Sequence, residues 1–288
     1  MNQTTGGWLV LGAAAGFGTI PIFGELAMNM GVNNPSLLSI RFLLAAIVLL
    51  TLLTAWQKGI PEASQIGAIV GLGIAYAAMT GAFFAGLVFL PAGTAAILLY
   101  TYPAYVYLIG IFILDEPISK EKVAALGLAL TGMVLIVGFN QADFSLIGGG
   151  FVLIAAAGYA VYTLGNRVVT QSVDPLILAT GAITTTGMCM LGYGIITDSL
   201  FWPQGYNQWT PVIGITVFGT IIPIVLFAVG LKHTSASNAS TLAMAEPVVS
   251  VLLGIIILGE SLSELQVLGG ALVLFGIYLI QKQSDLVS

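Results

Sequence analysis

The sequence predicts an all-α integral membrane protein, with ten spanning helices arranged as two five-helix halves. Three observations carry that prediction. The chain is 58% hydrophobic and 7% charged, whereas a soluble domain carries about 25% charged residues because its surface must face water. Apolar runs close to the roughly 20 residues that cross a bilayer as a helix fill nearly all of its 288 residues. Residues 103–136 repeat without a gap at 247–280, and 14 of the 34 aligned pairs are identical.

The runs are bounded by polar or Gly/Pro clusters. The first, 7–29, follows a short polar start that lacks the basic region of a cleaved signal peptide, so it is expected to be a span. The others are 35–56, 65–89, 92–114, 120–139, 147–169, 175–197, 209–231, 235–258 and 264–281. The longest connection, 198–208, is too short for a separate domain. Cys189 is the sole cysteine, so no internal disulfide forms. A net charge of −5 argues against a nucleic-acid binder, which needs a basic face.

Charge sets the orientation. With the N-terminus in the cytoplasm, Lys58, Lys120, Lys122, Arg167, Lys232 and Lys282 fall at cytoplasmic ends, and only Arg41 lies toward the outside. That is the positive-inside bias. Trp8, Trp56, Trp202 and Trp209 fall near span ends, as an aromatic belt requires. The repeat extends upstream, where Phe83, Gly86 and Leu87 match Phe227, Gly230 and Leu231. Five spans is an odd number, so the second half (141–288) is expected to be inverted relative to the first (1–140), with both termini cytoplasmic. The loop near Lys120 and Lys122 lies inside, and its counterpart near Glu260 and Glu264 has no cation and lies outside.

The fourth and ninth spans share a pattern: Ala95, Pro103, Gly110 and Asp115-Glu116 in one, Ala239, Pro247, Gly254 and Gly259-Glu260 in the other. In this paired pattern and span count the chain resembles the drug/metabolite transporter superfamily, in its EamA-type branch, along its whole length. Within that branch it is most similar to the aromatic amino-acid exporters of the YddG kind. The resemblance implies a multi-pass protein of the bacterial inner membrane that exports amino acids or other small metabolites. It also implies a central cavity lined by the first, third, fourth, sixth, eighth and ninth helices, with the fifth and tenth at the periphery. Many relatives have Trp-Gly early in the first helix, where this chain reads Gly16-Phe17-Gly18.

Candidate site residues follow from chemistry at bilayer depth. Pro103 and Pro247 sit near the centres of equivalent spans. Proline deletes a backbone donor and clashes with the preceding turn, and matched interruptions point to a transporter's site or hinge. Tyr76, Thr80 and Phe83 share a face of the third span, Phe17, Pro21 and Gly24 share a face of the first, and Tyr159, Tyr162 and Thr163 share a face of the sixth. Tyr159 takes the place of Phe17 in the repeat. A tyrosine at this depth must find a hydroxyl partner, in a polar cavity or on a helix carbonyl. In the fourth span Tyr100 and Tyr107 share one face, and Tyr102 and Tyr105 the opposite one. Tyr100 is preferred because it adjoins the Pro103 bend. Glu246 is the one acid near the middle of a span, with Asn238 and Ser250 near its face. A carboxyl there faces a cavity or is protonated. Three roles stay open for it: proton carrier, partner for a substrate amine, or structural acid at the bend. Glu25 and Arg41, both toward the outer side, are expected to form a gate or structural ion pair. His233, beside Lys232, is expected to be solvated.

These features favour a secondary transporter that exports small neutral or zwitterionic metabolites, amino acids including aromatic ones, by alternating access around a midplane cavity. Few cavity cations argue against strongly anionic cargo. An exporter of other metabolites or drugs, and a channel-like pore, remain alternatives, as do proton coupling and facilitated diffusion. An enzyme is not expected. Asp115, Asp143, Asp174, Asp198 and Asp285 all fall in connections or at the C-terminus, and no nucleophile–base set or metal site is apparent. No cofactor or metal is expected. The expected partners are a small-molecule substrate and membrane lipid, not nucleic acid, and the chain is expected to act as a monomer.

Overall fold

The computed structural model describes residues 3–90, 92–116, 118–138, 145–258 and 263–287. Gly259 and Glu260 of the second motif, and Asp143, lie outside these. The described residues are almost wholly helical. The first expected span is two helices, α1 (Gln3–Phe17) and α2 (Ile20–Asn29). The next two are single helices, α3 (Asn34–Ala55) and α4 (Ala63–Leu87). The fourth splits into α5 (Ala92–Leu99) and α6 (Tyr102–Ile113), and α7 (Lys120–Val137) follows. The sixth and seventh are α8 (Leu146–Val169) and α9 (Pro175–Ile196). The eighth runs as α10 (Gly205–Thr216), a π-helical turn at Val217–Ile221, and α11 (Ile222–His233). The ninth is α12 (Ala236–Ala243), α13 (Glu246–Leu253) and a π-helical turn at Gly254–Leu258, and α14 (Glu264–Val287) closes the chain.

Helix starts follow from capping chemistry. The side chains of Asn33, Ser119, Ser145, Asp174 and Ser235 accept backbone N–H bonds at the starts of α3, α7, α8, α9 and α12, which satisfies donors that have no carbonyl one turn back. The splits follow from proline. Pro21, Pro103, Pro223 and Pro247 are each the second residue of the helix that resumes. There the missing N–H costs nothing, whereas a continuous helix would meet the ring with a carbonyl. Hydroxyls cover part of the exposed backbone. Thr19 Oγ1 donates to Gly16 O and Thr101 Oγ1 to Leu98 O, each at 2.7 Å.

Among the described residues, nine helical segments are long and apolar enough to cross a membrane. Large apolar side chains such as Phe112, Ile196 and Ile256 face outward, as lipid contact allows. The expected fifth span, α7, is not among the nine. It has 18 residues and opens on Lys120, Glu121 and Lys122, so its apolar length is short. It nonetheless packs along α14.

Glycine sets the tightest packing. A β-carbon on Gly132 of α7 would meet Gly269 O and Val273 of α14, and one on Gly276 of α14 would meet Ala125 O and Ala129 of α7. These are the same residue pairs, shifted by the repeat offset. A second such set joins Gly86 of α4 to Gly148 and Val152 of α8, and Gly230 of α11 to Gly6 and Val10 of α1. Without side chains at these points the backbones touch directly. α3 packs on α9, and α6 on α12.

Candidate functional site

The breaks in the fourth and ninth spans fall at the same repeat position. Tyr102 begins α6 and Glu246 begins α13, so the two are repeat mates. Glu246 keeps partial exposure although most of the tyrosines around it are buried. Tyr76, Tyr100, Tyr102 and Tyr159 lie within electrostatic reach of the Glu246 carboxyl. Tyr102 stacks on Tyr159, with ring centroids 4.1 Å apart, and its hydroxyl donates to Ser240 O at 3.3 Å. Tyr76 lies 4.8 Å from Tyr162 and meets Phe42 edge-on at 5.9 Å. Asn166, one turn along α8 from Tyr162, is buried and its Oδ1 has no hydrogen-bond partner among the described residues.

The structure thus gathers Tyr76, Tyr100, Tyr159, Tyr162 and Glu246 in one cluster. It adds Tyr102, which sequence assigned to the face opposite Tyr100. The turn at residues 100–101 explains this, because it resets the helical phase and lets tyrosines on both sides of the break point the same way. Tyr107 instead closes the far end of α6, where its hydroxyl accepts from Ser119 N–H at 3.0 Å.

The remaining candidates surround the cluster or stand off from it. Thr163 is fully buried beside Tyr162, and its hydroxyl has no hydrogen-bond partner. Thr80 donates to Tyr76 O at 2.8 Å within its own helix. The Asn238 N–H is held by the Ser235 cap at 3.1 Å, in a helix whose eight residues are all buried. Phe17, at the end of α1, meets Phe227 edge-on at 6.3 Å. Phe83 meets Phe84 edge-on at 5.9 Å and packs both against the core that holds Tyr76 and Tyr162 and against the smaller cluster of Leu90 and Val152.

The break in the first span joins this centre. Ser250 Oγ donates to Gly18 O at 3.0 Å. A β-carbon on Gly18 would lie 2.9 Å from Glu246 O, so only glycine lets the two chains approach this closely. Pro21 has no repeat partner, so the repeat alone does not point to this break. An X-Pro pair inside an apolar run was the readable signal, and it marks all four split spans.

A second polar site lies at one end of the bundle. Glu116 pairs with Lys122 at 3.3 Å and accepts from Ser237 N–H at 3.4 Å, so a carboxylate after α6 reaches the first turn of α12. With Arg167, Gln171, His233 and Ser235 it lines a cavity of about 530 Å³. His233 is partly covered there rather than free in solvent.

The expected Glu25–Arg41 pair does not form. Among the described residues the ion pairs are Lys58–Asp174 and Lys122–Glu116. Glu25 is exposed on α2 while Arg41 is buried. Arg41 lies on the seam of α3 between Leu38 and Phe42, which pack into the main core, and Leu37 and Ile40, which pack toward α10. That position turns it inward, away from Glu25.

Relatives agree with a transport role. The model of the EamA-like transporter family matches residues 4–138 and 146–281. An uncharacterized transporter of Archaeoglobus fulgidus is 26% identical, over 96% of this chain and 99% of its own length. The uncharacterized transporter YcbK of Bacillus subtilis is 26% identical over 91% and 88%. The threonine/homoserine exporter RhtA of Salmonella typhimurium is 23% identical over 82% and 78%. A solved crystal structure superposes with a TM-score of 0.83, at 19% identity over 98% of both chains, which shows a shared fold. The relatives are named as transporters or exporters, not enzymes. This chain, multi-pass and helical, belongs to the EamA-like transporter family.

Proposed function

We propose that the chain is a secondary transporter that exports small neutral or zwitterionic metabolites across the bacterial inner membrane, aromatic amino acids among them. The observation that carries this reading is Glu246 set among Tyr76, Tyr100, Tyr102 and Tyr159 where two broken spans meet. Broken helices are tolerated at bilayer depth where they are buried in protein or line a cavity. Aromatic faces suit an apolar side chain, and the Glu246 carboxylate suits a substrate ammonium. The relative named a threonine/homoserine exporter supports an amino-acid cargo, and the tyrosine walls favour the aromatic branch of the family.

In this reading ten helices cross the membrane, α7 included, as inverted halves 1–140 and 141–288 with both termini in the cytoplasm. The α7–α14 and α4–α8/α1–α11 contacts, which recur with their partners exchanged between halves, support it. So does the placing of the cations. The halves rock about the Pro103 and Pro247 breaks, exposing the cluster to each side in turn.

The test is counterflow. Proteoliposomes loaded with unlabelled phenylalanine, threonine and methionine should transiently accumulate trace labelled phenylalanine, with some unlabelled amino acids blocking uptake and others not. No accumulation above empty liposomes, with folded protein, would sink the amino-acid reading.

A further inference from the structure

We propose that Arg41 is the anchor for a substrate carboxylate, so that the cargo is selected by that group as well as by its apolar body. This rests on the transport reading above and narrows its substrate class.

Arg41 is 6% exposed and lies two turns inside α3. A guanidinium is always charged and carries five N–H donors. Inside a membrane protein such a group pairs with an acid, bonds to carbonyls, or faces a functional site. Among the described residues Arg41 is in no ion pair, and its buried Nε has no hydrogen-bond partner. What it does have is the Phe42 ring, 4.3 Å from Cζ. An aromatic face attracts the charge but accepts none of the five hydrogens along their axes. The acid expected to pair with it, Glu25, is exposed on another helix.

Tyr76 connects this cation to the cluster. It lies within electrostatic reach of both Arg41 and Glu246, while those two are not paired with each other. A cation and a carboxylate that both reach one tyrosine without pairing with each other complement a molecule that carries both charges. Had the two been bonded together, each would have satisfied the other and left nothing for a ligand. Guanidinium matches carboxylate geometry through two parallel N–H bonds, which lysine cannot reproduce.

The experiment uses full-length protein and three ligands with the same phenyl body: phenylalanine, phenylalanine amide and 3-phenylpropionate. Binding is read by ligand-induced thermal stabilisation, and transport by counterflow inhibition. In R41Q, affinity for the two carboxylates should fall by about tenfold or more, the scale of a lost charge-assisted bond, while the amide binds as it does to wild type. R41K should recover only part of the loss. Carboxylate binding unchanged in R41Q, or an equal loss for the amide, overturns the anchor. If wild type ignores phenylalanine but takes 3-phenylpropionate through Arg41, the anchor stands and the amino-acid reading falls. Should R41Q not fold, wild type decides: equal binding of phenylalanine and its amide overturns the proposal.

Discussion

The fourth and ninth spans have the same shape and different chemistry. α5 and α12 are both eight residues long, each is followed by a two-residue turn, and each resumes with proline in second place. Around the turn, one reads Leu99-Tyr100-Thr101-Tyr102 and the other Ala243-Met244-Ala245-Glu246. The first half supplies phenol hydroxyls where the second supplies a carboxylate. What duplication shares is the scaffold: the break, its proline, and the glycines that let helices touch. What it has let diverge is the chemistry facing the centre, so a nearly symmetric frame carries an asymmetric site.

The largest expected effect is at the repeat-mate pair itself. E246Q keeps the volume but removes the charge. Bonds to charged groups contribute about 1.5–3 kcal/mol, so counterflow should fall by roughly ten- to a hundredfold with the protein still folded. Y102F removes one neutral hydroxyl, worth about 1 kcal/mol, and should stay within about fivefold of wild type. Transport by E246Q at the wild-type rate would break the asymmetry argued above.

The prolines test the shared part. A proline inside a continuous helix costs about 3 kcal/mol, so P103A and P247A both relieve a bar to straight helices. Each should lower turnover severalfold while leaving thermal stability equal or higher. Because the breaks correspond, the two variants should behave alike. A turnover defect in only one of them would show that the halves do not bend together.

Close packing gives a smaller, purely structural contrast. G18A places a methyl against Glu246 O and Val249, whereas G24A has nothing within 4 Å. Overpacking costs about 1–3 kcal/mol, so a melting point depressed in G18A and unchanged in G24A is expected. Equal melting points would mean that the first span does not press on α13 as described.

How much of this was readable in the sequence differs by level. The helical membrane fold followed from composition and run length. Pro103 and Pro247 are readable because an ungapped repeat aligns them, while Pro21 and Pro223, equally placed at breaks, have no repeat mate and so rank below them in the sequence. The faces of the fourth span could not be read, since helical phase does not survive a turn: Tyr100 and Tyr102 converge only because residues 100–101 are not α-helical. Arg41 is given an acid partner in the sequence because Glu25 falls toward the same outer side of the membrane. Its burial depends on how α3 rotates between two packing layers, and that is a tertiary property. Phe83 satisfies the face rule for α4 and packs against both the main core and a smaller cluster around Leu90, a division that the face rule alone does not foresee. α7 shows the limit from the other side. It packs like a span, yet its three opening charges leave it short by apolar length alone.

The smallest contrast lies between the helix starts of α3 and α9, both of the form cap-then-proline. α3 is capped by neutral Asn33 and α9 by Asp174, which accepts from Leu176 N–H at 2.9 Å and also meets Lys58 at 2.6 Å. Partial burial works against ionisation of Asp174, but the Lys58 ammonium and the backbone N–H groups outweigh it and hold the carboxyl below its ordinary range. A depressed carboxyl stabilises the fold above its unfolded pKa, about 3.9, and that contribution is lost as pH falls through the lower folded value. D174N preserves the cap and deletes the charge. Both partners are about a third exposed or more, so water and salt screen the pair and its value is below about 1 kcal/mol. Wild type should therefore melt slightly above D174N at pH 7, and the gap should close as the pH is taken below about 4 and shrink in high salt. A gap that persisted in acid would mean that Asp174 acts through its cap alone. The charged and neutral caps of the two halves would then be equivalent.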